Sequence, residues 1–125
     1  RAMSYRDKLL HGLFTTAIEG GINYWAEVDR YHWDSTPDDK TSTDDLHGFY
    51  AQIIESEEGV VHRVDRAVMS KGYALAVGGH RDKIAWSTEP PPLVVTEQSY
   101  DDWDYDAGDA DCILQLGLFG DVKYG

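Results

Sequence analysis

Three groups of residues have types and spacings that could do chemistry. The run Asp102-Trp103-Asp104-Tyr105-Asp106-Ala107-Gly108-Asp109 sets carboxylates at alternate positions ahead of a glycine. A hard cation needs several oxygens converging from one tight turn, so Asp102, Asp104 and Asp106 are candidate calcium ligands. Against this, the glycine comes one position late for an EF-hand, and Ile113 stands where that loop carries its bidentate glutamate. An acidic surface loop whose last aspartate caps the next helix accounts for the same residues without a metal, and is the stronger reading.

The second group is aromatic and basic. Tyr24, Trp25, Tyr31 and Trp33 cluster around Arg30 and His32, and His62 with Arg63 falls on a later strand within cross-strand reach. Flat rings beside an arginine are what a site needs to stack a base and hold its phosphate. Tyr24, Trp25, Arg30, Trp33, His62 and Arg63 are therefore the candidate ligand-binding residues. The alternative is that these rings fill the core face of a sheet, which is the commoner use of aromatics in a small domain. The third group is the set of carboxylates Glu19, Glu27, Asp29, Glu55 and Asp65, any two of which could converge as an acid/base pair with His62 nearby. Most exposed carboxylates only solvate a face.

Other chemistries lack their residues. No serine stands in a Gly-x-Ser-x-Gly elbow, and the single cysteine, Cys112, lies in an apolar run where a thiolate would be desolvated. Gly72 and Gly78-Gly79 follow no strand and precede no Lys-Ser or Lys-Thr, so a phosphate-cradling loop is absent. His11, His32, His47, His62 and His80 show no spacing suited to a transition metal.

The elements that must position these groups follow from periodicity. Leu9, Leu10, Leu13, Phe14, Ala17 and Ile18 recur at helical spacing behind Ser4, a capping residue, and Gly20-Gly21 should stop that helix. Residues 22–33 alternate and are rich in aromatic and β-branched types, which predicts a first strand. The runs 49–55 and 60–64 flank a turn containing Gly59, a hairpin signal that completes a three-stranded antiparallel meander. Asp65 is placed to cap a second helix with Val68, Met69, Leu75 and Ala76 inward, ending at Gly78-Gly79. Residues 80–108 read as a long excursion held over the core by Trp86. Pro90-Pro91-Pro92 forbids a helix or central strand there, and Leu93-Val94-Val95 suggests a short edge strand.

The last element spans Ala110 to Phe119, with Asp109 or Asp111 as its cap and Gly120 as terminator. It is apolar nearly all round, so either the rest of the chain or a second copy must cover it. The expected architecture is α+β: the meander packed against an N-terminal helix, a middle helix and this short C-terminal helix. It forms one domain over residues 3–125, with 34–45 and 99–109 as acidic loops. Arg1-Ala2 ahead of Met3 reads as an expression scar.

Charge and composition limit the partners. With 23 acidic against 11 basic residues among 125, the net charge of -12 opposes direct nucleic-acid binding. No run approaches the roughly 20 apolar residues that span a bilayer. A lone cysteine allows no internal disulfide and suits a reducing cytoplasm.

The segments Leu13-Phe14-Thr15-Thr16-Ala17-Ile18-Glu19-Gly20-Gly21-Ile22-Asn23-Tyr24-Trp25-Ala26 and Ala110-Asp111-Cys112-Ile113-Leu114-Gln115-Leu116-Gly117-Leu118-Phe119-Gly120 resemble small acidic proteins of actinobacterial tailed phages, as does His62-Arg63-Val64-Asp65 leading into a helix. That family carries no assigned catalytic motif. The resemblance implies a viral protein in the cytoplasm of a bacterial host. Together with the missing catalytic signatures, it leads to the expectation of a non-enzymatic binding protein that antagonises a host process. It would sequester a nucleotide-like signal or occlude a host protein, in the latter case as a DNA mimic, and would be a homo-oligomer through the C-terminal helix. A small carboxylate/His hydrolase with or without a metal, and a structural or assembly protein, are the alternatives.

Overall fold

The computed structural model describes residues 4–32 and 48–125; Trp33, His47 and the acidic segment 34–45 lie outside the described residues. Ser4 caps α1 (Tyr5–Thr16) by accepting from the Asp7 backbone N–H at 3.1 Å, and Leu9, Leu10, Leu13 and Phe14 form its buried stripe. The helical path ends at Gly20-Gly21 as expected, though not as plain α-helix. The chain widens into a π-helical turn, Ala17–Gly21, whose last glycine lies against the start of the C-terminal helix: a Cβ on Gly21 would sit 2.7 Å from the Ala107 carbonyl oxygen.

Residues 22–25 form a turn, so the first strand starts four residues later than the alternation predicts. The Trp25 and Ala26 N–H groups both donate to the Ile22 carbonyl, and Ile22 and Trp25 are buried. Their apolarity serves the core, not a pleat. Strand β1 (Ala26–His32) pairs antiparallel with β2 (Tyr50–Glu55), and β2 with β3 (Val61–Asp65), in the order β1-β2-β3. The α+β meander is therefore present. An irregularity between Val28 and Arg30 shifts the β1–β2 register by one residue.

Asp65 caps α2 (Arg66–Val77), its carboxylate accepting from the Val68 N–H at 3.1 Å. Met69, Gly72, Tyr73 and Ala76 make its buried stripe, and Val68 and Leu75 are half-buried at the margin. No strand forms at residues 93–95, where Leu93 and Val94 are the most exposed large apolar side chains described. The excursion is pinned by its own carbonyls instead. Tyr73 donates to Pro92 O and Arg81 to Pro91 O, both at 2.6 Å, and the buried Trp103 donates to Glu89 O. Trp86 is only half-buried.

The expected acidic loop 99–109 is largely helical. Thr96 and Ser99 form a capping box for α3 (Glu97–Asp102), and Asp106 and Asp109 form another for α4 (Ala107–Phe119). The cap of the last helix is thus Asp106, not Asp109 or Asp111, and the helix begins three residues earlier than expected. Gly120 terminates it in the left-handed conformation, at φ 76°.

The chain covers this apolar helix itself. Ala110, Ile113, Leu114 and Leu116 are fully buried. Helix α2 crosses α4 at backbone contact: a Cβ on Gly72 would lie 1.9 Å from Ile113 O, and one on Gly117 2.0 Å from Val68 O. The apolarity of α4 thus needs no second copy, which removes the reason for expecting an oligomer through it.

Candidate ligand-binding site

The sheet has two unlike faces. Ala26, Ala51, Ile53 and Val64 are buried on the face that meets the helices. The opposite face is open among the described residues. On it, Arg30, Gln52 and Arg63 stand in one cross-strand row and His32, Tyr50 and Asp65 in the next, because the register pairs Arg30 with Gln52, Gln52 with Arg63, His32 with Tyr50 and Tyr50 with Asp65.

The Arg63 guanidinium lies 4.3 Å from the centre of the Tyr50 ring, and the His32 ring stacks on Tyr50 at 5.8 Å. Both arginine side chains are about two-thirds exposed. Each leans on a neighbouring carboxylate, Arg30 on Asp29 at 3.8 Å and Arg63 on Asp65 at 3.5 Å. Exposed pairs of this kind are worth roughly 0–1 kcal/mol, so an incoming anion displaces them at little cost.

The structure thus brings Arg30 and Arg63 together as the sequence suggested. The other expected members are elsewhere. Trp33 lies outside the described residues. Trp25 is 3% exposed and donates its indole N–H to Asp111 at 2.9 Å, and the Tyr24 hydroxyl also bonds Asp111. Both belong to the anchoring of α4, not to a stacking platform on β1. His62 points to the buried face, 2.7 Å from Glu55. Tyr50 and Gln52, which complete the open face with His32, were not singled out from sequence. Their alternation on strands flanking Arg30 and Arg63 is the signal that would have found them.

A second polar constellation lies under the sheet. Glu55 is 2% exposed and accepts from His62, from Lys123 at 2.9 Å and from the Tyr124 hydroxyl. Hydrogen bonds from Tyr124, His62 and Lys123 hold its carboxyl down at about 2. Asp111 accepts from Tyr24, Trp25 and Gln115. The carboxylate and imidazole a small hydrolase would use do meet, but every oxygen of the pair is engaged by donors of the same chain. This arrangement stabilises a fold; a general base needs an oxygen turned toward a substrate. Gln115 and Asp111, spaced four apart in the apolar stretch Ala110 to Phe119, were the readable sign of a buried network.

A cleft of about 810 Å³ opens between the π-helical turn, the Lys83–Ser87 segment and the start of α4, with Tyr24, Ser87, Asp109 and Cys112 on its walls. The half-buried Cys112 thiol is pushed up to about 11, by burial first and then by Asp111, Asp109 and Asp106. It is a poor nucleophile. Burial also raises Asp109, while the Ser87 hydroxyl lowers Asp106.

The three candidate calcium ligands do not converge. Asp102 accepts from Gln98, the Asp104 carbonyl accepts from Thr88, and Asp106 is spent on its cap and on Ser87. Among the described residues no group of three or more His, Cys, Asp or Glu side chains is placed to hold a metal ion, and no helix is long and apolar enough to cross a membrane. No protein-family model matches the chain, and no match was found among curated proteins or solved structures.

Proposed function

We propose that this chain is a non-enzymatic binding protein that antagonises a host process by sequestering a nucleotide-like anion on the open face of its sheet. The observation that supports it is the Arg30–Gln52–Arg63 row beside Tyr50. Two strand spacings set the backbones of the arginines about 10 Å apart, a span that a base and its phosphate can bridge. Tyr50 holds one face of the Arg63 guanidinium and leaves the other for a planar ring, while Arg30 can turn from its exposed pair with Asp29 to meet phosphate oxygens. The net charge of -12 disfavours a long polyanion and tolerates a ligand of few charges. The host setting, a bacterial cytoplasm, rests on the resemblance to phage proteins.

Isothermal titration against a panel of cyclic and linear nucleotides tests the reading. A binder should appear, and Arg30→Ala and Arg63→Ala should each weaken it at least tenfold. No heat with any nucleotide refutes it. Occlusion of a host protein is then the remaining reading, favoured by Val60 and Val61, 43% and 56% exposed at one end of the sheet. The DNA-mimic form of occlusion is less favoured, because Asp109 and Asp111 in the 101–111 cluster are buried and committed to partners within the chain.

A further inference from the structure

Beyond Gly120, the segment Asp121–Gly125 is held as a bound peptide is held. Gln115 reads its backbone: the Oε1 atom accepts the Lys123 and Tyr124 N–H groups, both at 2.8 Å, and Nε2 donates to the Tyr124 carbonyl at 3.0 Å. With its bond to Asp111, all four hydrogen bonds a glutamine amide can make are used. Side chains supply specificity. The Lys123 ammonium lies 2.9 Å from Glu55, and the Tyr124 hydroxyl donates to the same carboxylate. The Tyr124 ring stacks on Trp25 at 5.0 Å with 10° between planes.

The receiving groups belong to separate parts of the folded body: Glu55 to β2, Gln115 to α4, Trp25 to the turn before β1. The occupant is one short segment that leaves α4 at a left-handed glycine. Without it, Glu55 would lose the ammonium and the hydroxyl and keep His62 as a partner. A carboxylate so placed is well matched by a cation and a hydroxyl donor.

We propose that Glu55, Gln115 and Trp25 form a recognition site for an extended peptide carrying a Lys-Tyr pair, filled here in cis by Lys123-Tyr124 and open to the same pair in trans. The site lies under the sheet, across from Arg30 and Arg63, and does not depend on the nucleotide reading. Its chemistry sets the specificity. Lys-Phe forfeits the hydroxyl bond, and a phosphorylated tyrosine brings a dianion onto a carboxylate.

The test vacates the side-chain part of the site in the full chain with the double substitution Lys123→Ala/Tyr124→Ala, which also weakens the hold of the segment's backbone on Gln115, and follows the anisotropy of a fluorescein-labelled peptide, Asp-Val-Lys-Tyr-Gly. Saturable binding to the variant is expected, at least tenfold tighter than to the unsubstituted chain, where the cis segment competes at an effective concentration in the millimolar range. The Lys-Phe and Lys-phosphotyrosine peptides should bind at least tenfold more weakly than the parent. Circular dichroism establishes that the variant is folded. Should the double variant not fold, Tyr124→Phe, which keeps the ring and the lysine, takes its place, and the tyrosine peptide should displace its segment better than the phenylalanine peptide does. A folded variant that fails to bind, or that binds all three peptides alike, overturns the proposal.

Discussion

Replacing Glu55 by glutamine keeps the shape of a buried side chain and removes its charge, and the structure says what that costs. Three donors converge on the carboxylate, of which Lys123 is 41% exposed and contributes least. Hydrogen bonds to a charged group are worth about 1.5–3 kcal/mol each, and an exposed ion pair about 0–1 kcal/mol. The glutamine retains one acceptor and turns an NH₂ toward donors, so a net loss of about 3 kcal/mol is expected at pH 6. For a domain of this size that lowers Tm by about 10 °C.

The pH dependence has a definite sign. The carboxyl falls from an ordinary 4.5 to about 2 on folding, so the unfolded chain binds the proton more readily. The stabilisation is therefore complete above pH 4.5 and fades as the pH falls toward 2. Linkage puts the remaining difference at about half its full value by pH 3. Urea titrations of the parent and Glu55→Gln chains at pH 6 and pH 3, followed by tryptophan fluorescence, measure it; carboxylates common to both chains cancel in the difference. A cost below about 1 kcal/mol at pH 6, or one that is undiminished at pH 3, would refute the reasoning.

The helix crossing and the cysteine supply two further expectations. Gly72→Ala and Gly117→Ala should each destabilise by about 3 kcal/mol or more, because the added methyl meets backbone carbonyl and not a movable side chain. Gly20→Ala, with nothing within 4 Å, should be neutral or stabilise by about 0.5 kcal/mol. Equal urea midpoints for the three variants would contradict this packing. With its pKa at about 11, the Cys112 thiol should react with a disulfide reagent at pH 8 about a hundredfold more slowly in the folded chain than in urea. A difference of less than tenfold would show the thiol to be more accessible than the structure has it.

Much of the secondary structure was legible because its signals are local. Ser4 and Asp65 each cap a helix through an N–H three residues on, and Gly120 adopts the φ that ends α4. The hairpin around Gly59 follows from two β-rich runs and a glycine at φ 69°. The errors arose where one pattern serves two structures. Ile22 to Trp25 alternates as a strand does, yet turns to bury Ile22 and Trp25. In Asp102 to Asp109 the stronger reading, an acidic stretch that caps the next helix, named the wrong aspartate: the cap is Asp106.

The candidate sites were legible only in part. Arg30 and Arg63 were named from sequence within a group of six candidates; the strand register is what sets these two in one row and sends His62 to the other face. Partners distant in the chain were not readable: Tyr24 meets Asp111 across 87 residues and Tyr124 meets Glu55 across 69. The sequence by itself determined the caps of α1 and α2, the meander and the residue types able to bind an anion. Only the tertiary structure decided that Gly72 and Gly117 let two backbones touch, that Glu55 is buried, and that Lys123-Tyr124 answers its charge. The physical reason is range: caps and periodicity act over a few residues, whereas burial and charge pairing depend on which distant surfaces the packed core brings into contact.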